Sequence, residues 1–227
     1  MIREHLHIGR TQVGTARLRT LDLKGPVGNL EAVLNEGQLN APYAALVCHP
    51  HPLGGGTLHN KVVYHAMKVL NGLGLPVLRF NFRGVGRSEG SFDDGRGEVD
   101  DVRAAVSWLS NQYKLPLVVV GFSFGSAVSL EACCKDARLR ALVALGIPTQ
   151  AEGRTYKYPF LADCRIPKLF LSGDQDQYGP REEVEDVVAH AGEPSKLIFV
   201  PGANHFFVGK LDAMQGALRQ WLVETLW

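Results

Sequence analysis

No stretch of this sequence is apolar for long enough to cross a bilayer, and neither charge sign prevails. The chain has 24 lysines and arginines against 23 aspartates and glutamates, a formal net charge of +1. The first absence argues against a membrane segment, and the second removes the electrostatic reason to expect nucleic acid or an anionic membrane as partner. Residues 1–10 are polar, carry His5 and His7, and lack the apolar core of a secretory signal, so a cytoplasmic location is expected. Cysteine is scarce. Cys48, Cys133, Cys134 and Cys164 show neither metal-knuckle spacing nor a disulfide framework, so buried free thiols are expected. Repeats, low-complexity tracts and linkers are missing too, which leaves residues 1–227 as one domain.

What is present alternates. Short candidate strands near Ala16–Leu21 and Leu30–Leu34 read as antiparallel edge strands. Apolar runs follow at Ala44–Cys48, Val77–Phe82, Leu117–Val120, Ala141–Leu145, Lys168–Leu171 and Leu197–Val200. Between them, helical spacing predicts helices at Lys61–Leu70, Glu98–Leu109, Ser126–Cys134, Glu182–His190 and Leu211–Leu226. Strand and helix in alternation imply an α/β fold: a mostly parallel sheet of about eight strands, with helices on both faces. Residues 147–164 read as an irregular connection.

The chain is organised around Leu117–Val120 and the five residues that follow, Gly121-Phe122-Ser123-Phe124-Gly125. A buried strand runs into a helix with room for only a tight turn, and Ser123 sits at its apex. Gly121 and Gly125 flank it because a side chain at either position would collide where strand and helix nearly touch. Such an elbow exposes a hydroxyl as a candidate nucleophile and places the Phe124 N–H at the head of a helix. Phe122 and Phe124 could equally be core.

In open parallel sheets the ligand site lies beyond the carboxyl ends of the strands. Past Lys168–Leu171 come Asp174 and Asp176, and past Leu197–Val200 comes His205 in a Gly-Ala-Asn loop. A serine hydroxyl needs a base within hydrogen-bond reach, and the base needs an acid to fix its tautomer and stabilise its charge. Ser, Asp and His therefore stand at the ends of three different strands. His190, within a helix, is the poorer base. Between Asp174 and Asp176 the residues alone leave the choice open, since either could be a turn carboxylate.

In this arrangement the chain resembles the α/β-hydrolase superfamily. Within it, the chain is similar to small, lid-poor bacterial serine hydrolases that carry His49-Pro50-His51-Pro52, Asn60-Lys61-Val62-Val63 and Arg79-Phe80-Asn81-Phe82-Arg83-Gly84-Val85-Gly86-Arg87-Ser88-Glu89-Gly90. The resemblance covers the chain from about Tyr43 onward. It implies an α/β-hydrolase fold with minimal or no lid, with Ser123 as nucleophile, Asp176 as acid and His205 as base. The family pattern sets the acid three residues past the strand-end glycine, which selects Asp176 over Asp174. Dienelactone hydrolases are similar in size, but they use cysteine where this chain has Ser123.

An oxyanion hole needs two inward N–H groups. Phe124 supplies one. In the loop after Cys48, Pro50 and Pro52 have no N–H, so His51 is the first available donor and Leu53 the next. Tyr156, Tyr158 and Phe160, in the lid position at 147–164, and Leu53 are candidate pocket residues, although the aromatics could equally pack the crossover onto the sheet. His49 and His51 could share a face, yet no third ligand and no H-E-x-x-H accompany them, so no metal is expected. Gly84-Val85-Gly86 lacks the spacing and the following helix of a dinucleotide site, and no cofactor is expected. Arg83 and Ser88 are expected to hold that loop in place.

These readings imply hydrolysis of a small carboxylic ester or thioester through an acyl-enzyme, with short acyl chains preferred for want of a lid. The alternatives are a peptidase or amidase of the same fold, or a non-catalytic binding protein. Monomer and homodimer are both compatible with the sequence.

Overall fold

The structure is a computed structural model describing residues 18–151 and 153–227. The N-terminal decapeptide and the first part of the expected strand, at 16–17, lie outside the described residues. Strands β1 (Leu18–Gly25) and β2 (Gly28–Asn35) form an antiparallel hairpin, followed by β3 (Ala44–Cys48), α1 (Lys61–Gly72) and β4 (Val77–Phe80). Then come α2 (Arg96–Tyr113), β5 (Leu117–Phe122), α3 (Phe124–Cys133) and β6 (Leu139–Leu145). Two-residue strands β7 (Gln150–Ala151) and β8 (Arg154–Thr155) precede β9 (Lys168–Gly173), α4 (Arg181–Ala189), β10 (Ser195–Val200) and α5 (Leu211–Leu226).

Eight strands form one sheet in the order β1-β2-β4-β3-β5-β6-β9-β10. β2 is antiparallel to both neighbours, and every pairing from β4 to β10 is parallel. Although β5 is apolar throughout, its side chains alternate between two cores, as the pleat requires. Leu117 and Val119 face one core with α2, α3 and Val184 of α4. Val118, Val120 and Phe122 face the other with α1 and α5. Because α1 leaves β3 toward one face and α3 leaves β5 toward the other, a crevice opens between the carboxyl ends of these neighbouring strands. There Cys48 lies opposite Gly121.

Several element bounds differ from the sequence expectation, and three differences bear on the site. β4 stops at Phe80 because the next backbone groups turn elsewhere: the Phe82 N–H donates to His49 Nε2 at 3.0 Å. β5 runs on to Phe122 and α3 starts at Phe124, so Ser123 alone separates them. Residues 147–164 are less irregular than expected. They contain the β7–β8 hairpin and a short 3-10 turn at Pro159–Asp163.

Polar ties hold the loops. Arg83 forms a buried ion pair with Asp101, with Nη2–Oδ1 at 2.8 Å and Nε–Oδ2 at 3.0 Å, and this partner raises the guanidinium pKa. The Ser88 hydroxyl donates to the Asn81 carbonyl at 2.7 Å and accepts the Glu31 N–H at 2.9 Å. All four cysteines are buried and free, and burial pushes the Cys133 thiol up to about 12. Trp221 is buried between α5 and the sheet, while Trp227 is exposed and meets Tyr43 edge-on.

Candidate active site

Ser123 owes its position to backbone geometry that few residues adopt. Its φ is +55°, in the region where side chains crowd the backbone, and the surrounding contacts hold it there. A Cβ on Gly121 would stand 2.3 Å from the Gly125 carbonyl oxygen, and one on Gly125 would stand 2.3 Å from that of His49. Both glycines are therefore contact points where the elbow crosses its own helix and the end of β3. The Ser123 N–H donates to the Leu145 carbonyl at 2.9 Å, which ties the elbow to β6.

The loops after β9 and β10 bring Asp176 and His205 to this serine. His205 Nε2 lies 2.8 Å from Ser123 Oγ, and its Nδ1 lies 2.8 and 2.9 Å from the two Asp176 oxygens. A carboxylate can only accept, so Nδ1 carries the proton and Nε2 receives the serine hydroxyl. Asp176 is itself fixed: its Oδ1 accepts the Tyr178 N–H at 2.8 Å and the Gly179 N–H at 3.2 Å. Asp174 instead accepts the Gly202 N–H at 2.7 Å, which ties its loop to the one after β10. The structure thus places Asp176, and not Asp174, against His205.

Around Ser123 lies a cleft of about 110 Å³, walled by Pro50, His51, the 54–56 glycine run, Phe124, Tyr156 and Phe206. Phe124 is the first residue of α3, and helix-initial N–H groups have no partner within their own helix. His51 organises its loop from inside. Its carbonyl accepts the N–H groups of Gly54 and Gly56, and its Nδ1 accepts that of Leu53 at 3.2 Å. The imidazole also stands 4.9 Å from the ring centroids of Phe92 and Phe124.

Of the candidate pocket residues, Tyr156 lines the cleft and the other three do not. Leu53 is 72% exposed and does not border the cleft. Tyr158 and Phe160 line a separate depression behind Phe124, and the Tyr158 hydroxyl donates to the Pro148 carbonyl. That bond ties Tyr158 to the end of the crossover, and its ring meets Phe160 edge-on. Tyr178, Phe206 and Ala151 also border the cleft and were not singled out in the sequence, and so does Asn60, noted there only as part of the Asn60–Val63 stretch. Asn60 had a legible signal, since it precedes a helix, and its side chain caps α1 through the Val62 N–H at 2.9 Å. Phe206 adjoins His205, which was a weaker cue. Tyr178 and Ala151 had none.

Two other described histidines, His49 and His65, have structural partners. His49 donates from Nδ1 to the Pro50 carbonyl at 2.7 Å and accepts the Phe82 N–H at Nε2. Burial lowers its pKa to about 4. His65 contacts Gln215 Oε1 at 2.7 Å. Among the described residues no three His, Cys, Asp or Glu side chains are grouped to hold a metal ion, and no helix is long and apolar enough to cross a membrane.

A family model for the alpha/beta hydrolase domain matches residues 44–220. An uncharacterised protein of Rickettsia prowazekii is 38% identical over 207 residues, 88% of this chain and 86% of its own length. Among solved structures, an alpha-beta serine hydrolase homologue from Coxiella burnetii matches with a TM-score of 0.81 at 35% identity, over 90% of this chain and 97% of its own. A Xanthomonas campestris α/β serine hydrolase without a lid matches with a TM-score of 0.80, also at 35% identity, over 94% and 97%.

Proposed function

This chain belongs to the α/β-hydrolase family, and on that premise we propose that it hydrolyses small carboxylic esters or thioesters through an acyl-enzyme on Ser123. The observation that carries this reading is the unbroken line of hydrogen bonds from Ser123 Oγ through His205 to Asp176. In the proposed reaction Ser123 Oγ attacks the carbonyl carbon while His205 Nε2 takes the hydroxyl proton. Asp176 offsets the imidazolium charge. Collapse of the tetrahedral adduct breaks the bond to the leaving oxygen or sulfur, which receives that proton from Nε2. A water then gives its proton to Nε2 and attacks the acyl carbon, and the acid leaves as Ser123 regains its hydrogen.

The proposed oxyanion donors are the N–H groups of Phe124 and His51. Pro50 and Pro52 have none, and those of residues 53–56 reach acceptors within the loop. Tyr156 is proposed as a pocket wall.

The test is fluorophosphonate labelling read by intact mass. Wild type is expected to gain one adduct, Ser123→Ala none, and His205→Ala to react at least about a thousandfold more slowly. Folded wild type without an adduct, and without turnover of p-nitrophenyl acetate, would assign the chain a binding role instead.

A further inference from the structure

The cleft around Ser123 is small, about 110 Å³, whereas small-molecule sites usually span about 300–1,000 Å³. A bound ester must therefore extend beyond it. Across Phe206 and Asn60, which wall both spaces, lies an open groove of about 340 Å³ bordered by Val62, Val208 and Leu211.

The loop that forms this groove holds apolar groups outward. Phe206 is 44% exposed and Val208 is 68% exposed, while Phe207 between them is fully buried. Asn204 Oδ1 accepts the N–H groups of both Phe206 and Val208, each at 3.1 Å. Phe207 adopts φ +52°, a strained conformation for a bulky residue, held by its buried ring. Strain and a pinned backbone thus present two apolar side chains to solvent directly beside the catalytic histidine. Scattered exposed apolar residues need no explanation, but a rigid pair continuous with a reactive cleft does.

Chemistry decides which part of the substrate this shelf meets. The leaving oxygen must come within hydrogen-bond reach of His205 Nε2 to take its proton, and the Phe206 ring stands edge-on to that imidazole at 5.1 Å between centroids. The groove therefore opens on the leaving-group side. We infer that the Phe206–Val208 shelf, with Leu211, is a subsite for the apolar alcohol portion of the substrate. The substrate class is a small acid esterified to an alkyl or aryl alcohol. This inference rests on the proposed roles of Ser123 and His205.

The experiment compares kcat/KM for ethyl, butyl and hexyl acetate in wild type, Val208→Ser and Leu53→Ser, alongside fluorophosphonate labelling. Each protein is judged by its own hexyl-to-ethyl ratio, so any general change in activity cancels. Wild type is expected to prefer hexyl acetate about tenfold, since four added methylenes become partly buried. Val208→Ser should bring that ratio to within about twofold of unity, and Leu53→Ser, outside the groove, should retain the wild-type ratio. A wild-type ratio near unity with normal labelling overturns the subsite and leaves the hydrolase reading intact. A preference that survives Val208→Ser overturns it as well. A ratio near unity together with a dimer in sedimentation equilibrium overturns it by giving the shelf to a second copy of the chain. Absence of both labelling and turnover overturns the reading on which the subsite rests.

Discussion

His49 and His205 follow different strands of one sheet and look alike by the usual criteria. Both are buried, at 0% and 2% exposure, both use both ring nitrogens, and both carry the proton on Nδ1. They differ in partners. His49 is held between a backbone carbonyl, which favours the protonated ring less than burial opposes it, and a backbone N–H, which protonation of Nε2 would leave without an acceptor. Burial then dominates and its pKa falls to about 4, so it is neutral at ordinary pH. His205 is held between a carboxylate and a hydroxyl. A carboxylate can offset a positive charge on the ring, and a hydroxyl can supply the proton that creates it. Burial and saturated hydrogen bonding therefore do not separate the histidine proposed as base from the other; the chemistry of its two neighbours does.

The sharpest way to break the comparison is to make the partners of His205 more like those of His49. Asp176→Asn keeps the size of the side chain but removes its charge and allows the wrong tautomer. It is expected to lower kcat about 10⁴-fold on p-nitrophenyl acetate with little change in KM. A loss below tenfold would mean that Asp176 is not the orienting acid.

A smaller effect is expected at the other histidine, and on stability. His49→Ala leaves the Phe82 N–H and the Pro50 carbonyl without their partner, a cost of about 3 kcal/mol at pH 7.5 in urea unfolding. The sign of the pH dependence follows from the lowered pKa. Below pH 6.5 the unfolded chain binds a proton at this position and the folded chain does not, so wild type loses the stabilisation as pH falls through about 4. The advantage of wild type over His49→Ala should thus shrink toward acid, by up to about 3 kcal/mol. A constant gap from pH 7.5 to pH 4 would show that His49 is not buried neutral.

The least effect is expected from Asp174→Asn, which alters a carboxylate that accepts the Gly202 N–H from the neighbouring loop and does not meet His205. Activity should stay within about threefold of wild type and stability within about 1 kcal/mol. A loss matching that of Asp176→Asn would reverse the assignment of the two aspartates.

The alternation of apolar runs and helical spacing was enough to reach an eight-stranded, mostly parallel sheet, because burial of both sheet faces leaves a direct mark on composition. The elbow was legible for a similar reason: Gly121 and Gly125 are needed where backbones touch, and no other residue fits. The choice between Asp174 and Asp176 could not be made from the residues alone, since both follow the same strand within three positions. Only the turn that aims one toward His205 separates them. That Leu53, Tyr158 and Phe160 do not border the cleft was not legible, because side-chain direction in a loop obeys no sequence period.

The sequence by itself determined the sheet, the elbow serine and the residue types available at the strand ends. These depend on periodicities and steric needs that act within a few residues of one another. The tertiary structure decided which aspartate meets the histidine, which histidine stays neutral and which apolar side chains border the cleft. Those outcomes depend on groups 29 to 82 residues apart in the chain, whose approach is set by the packing of whole elements and leaves no local trace.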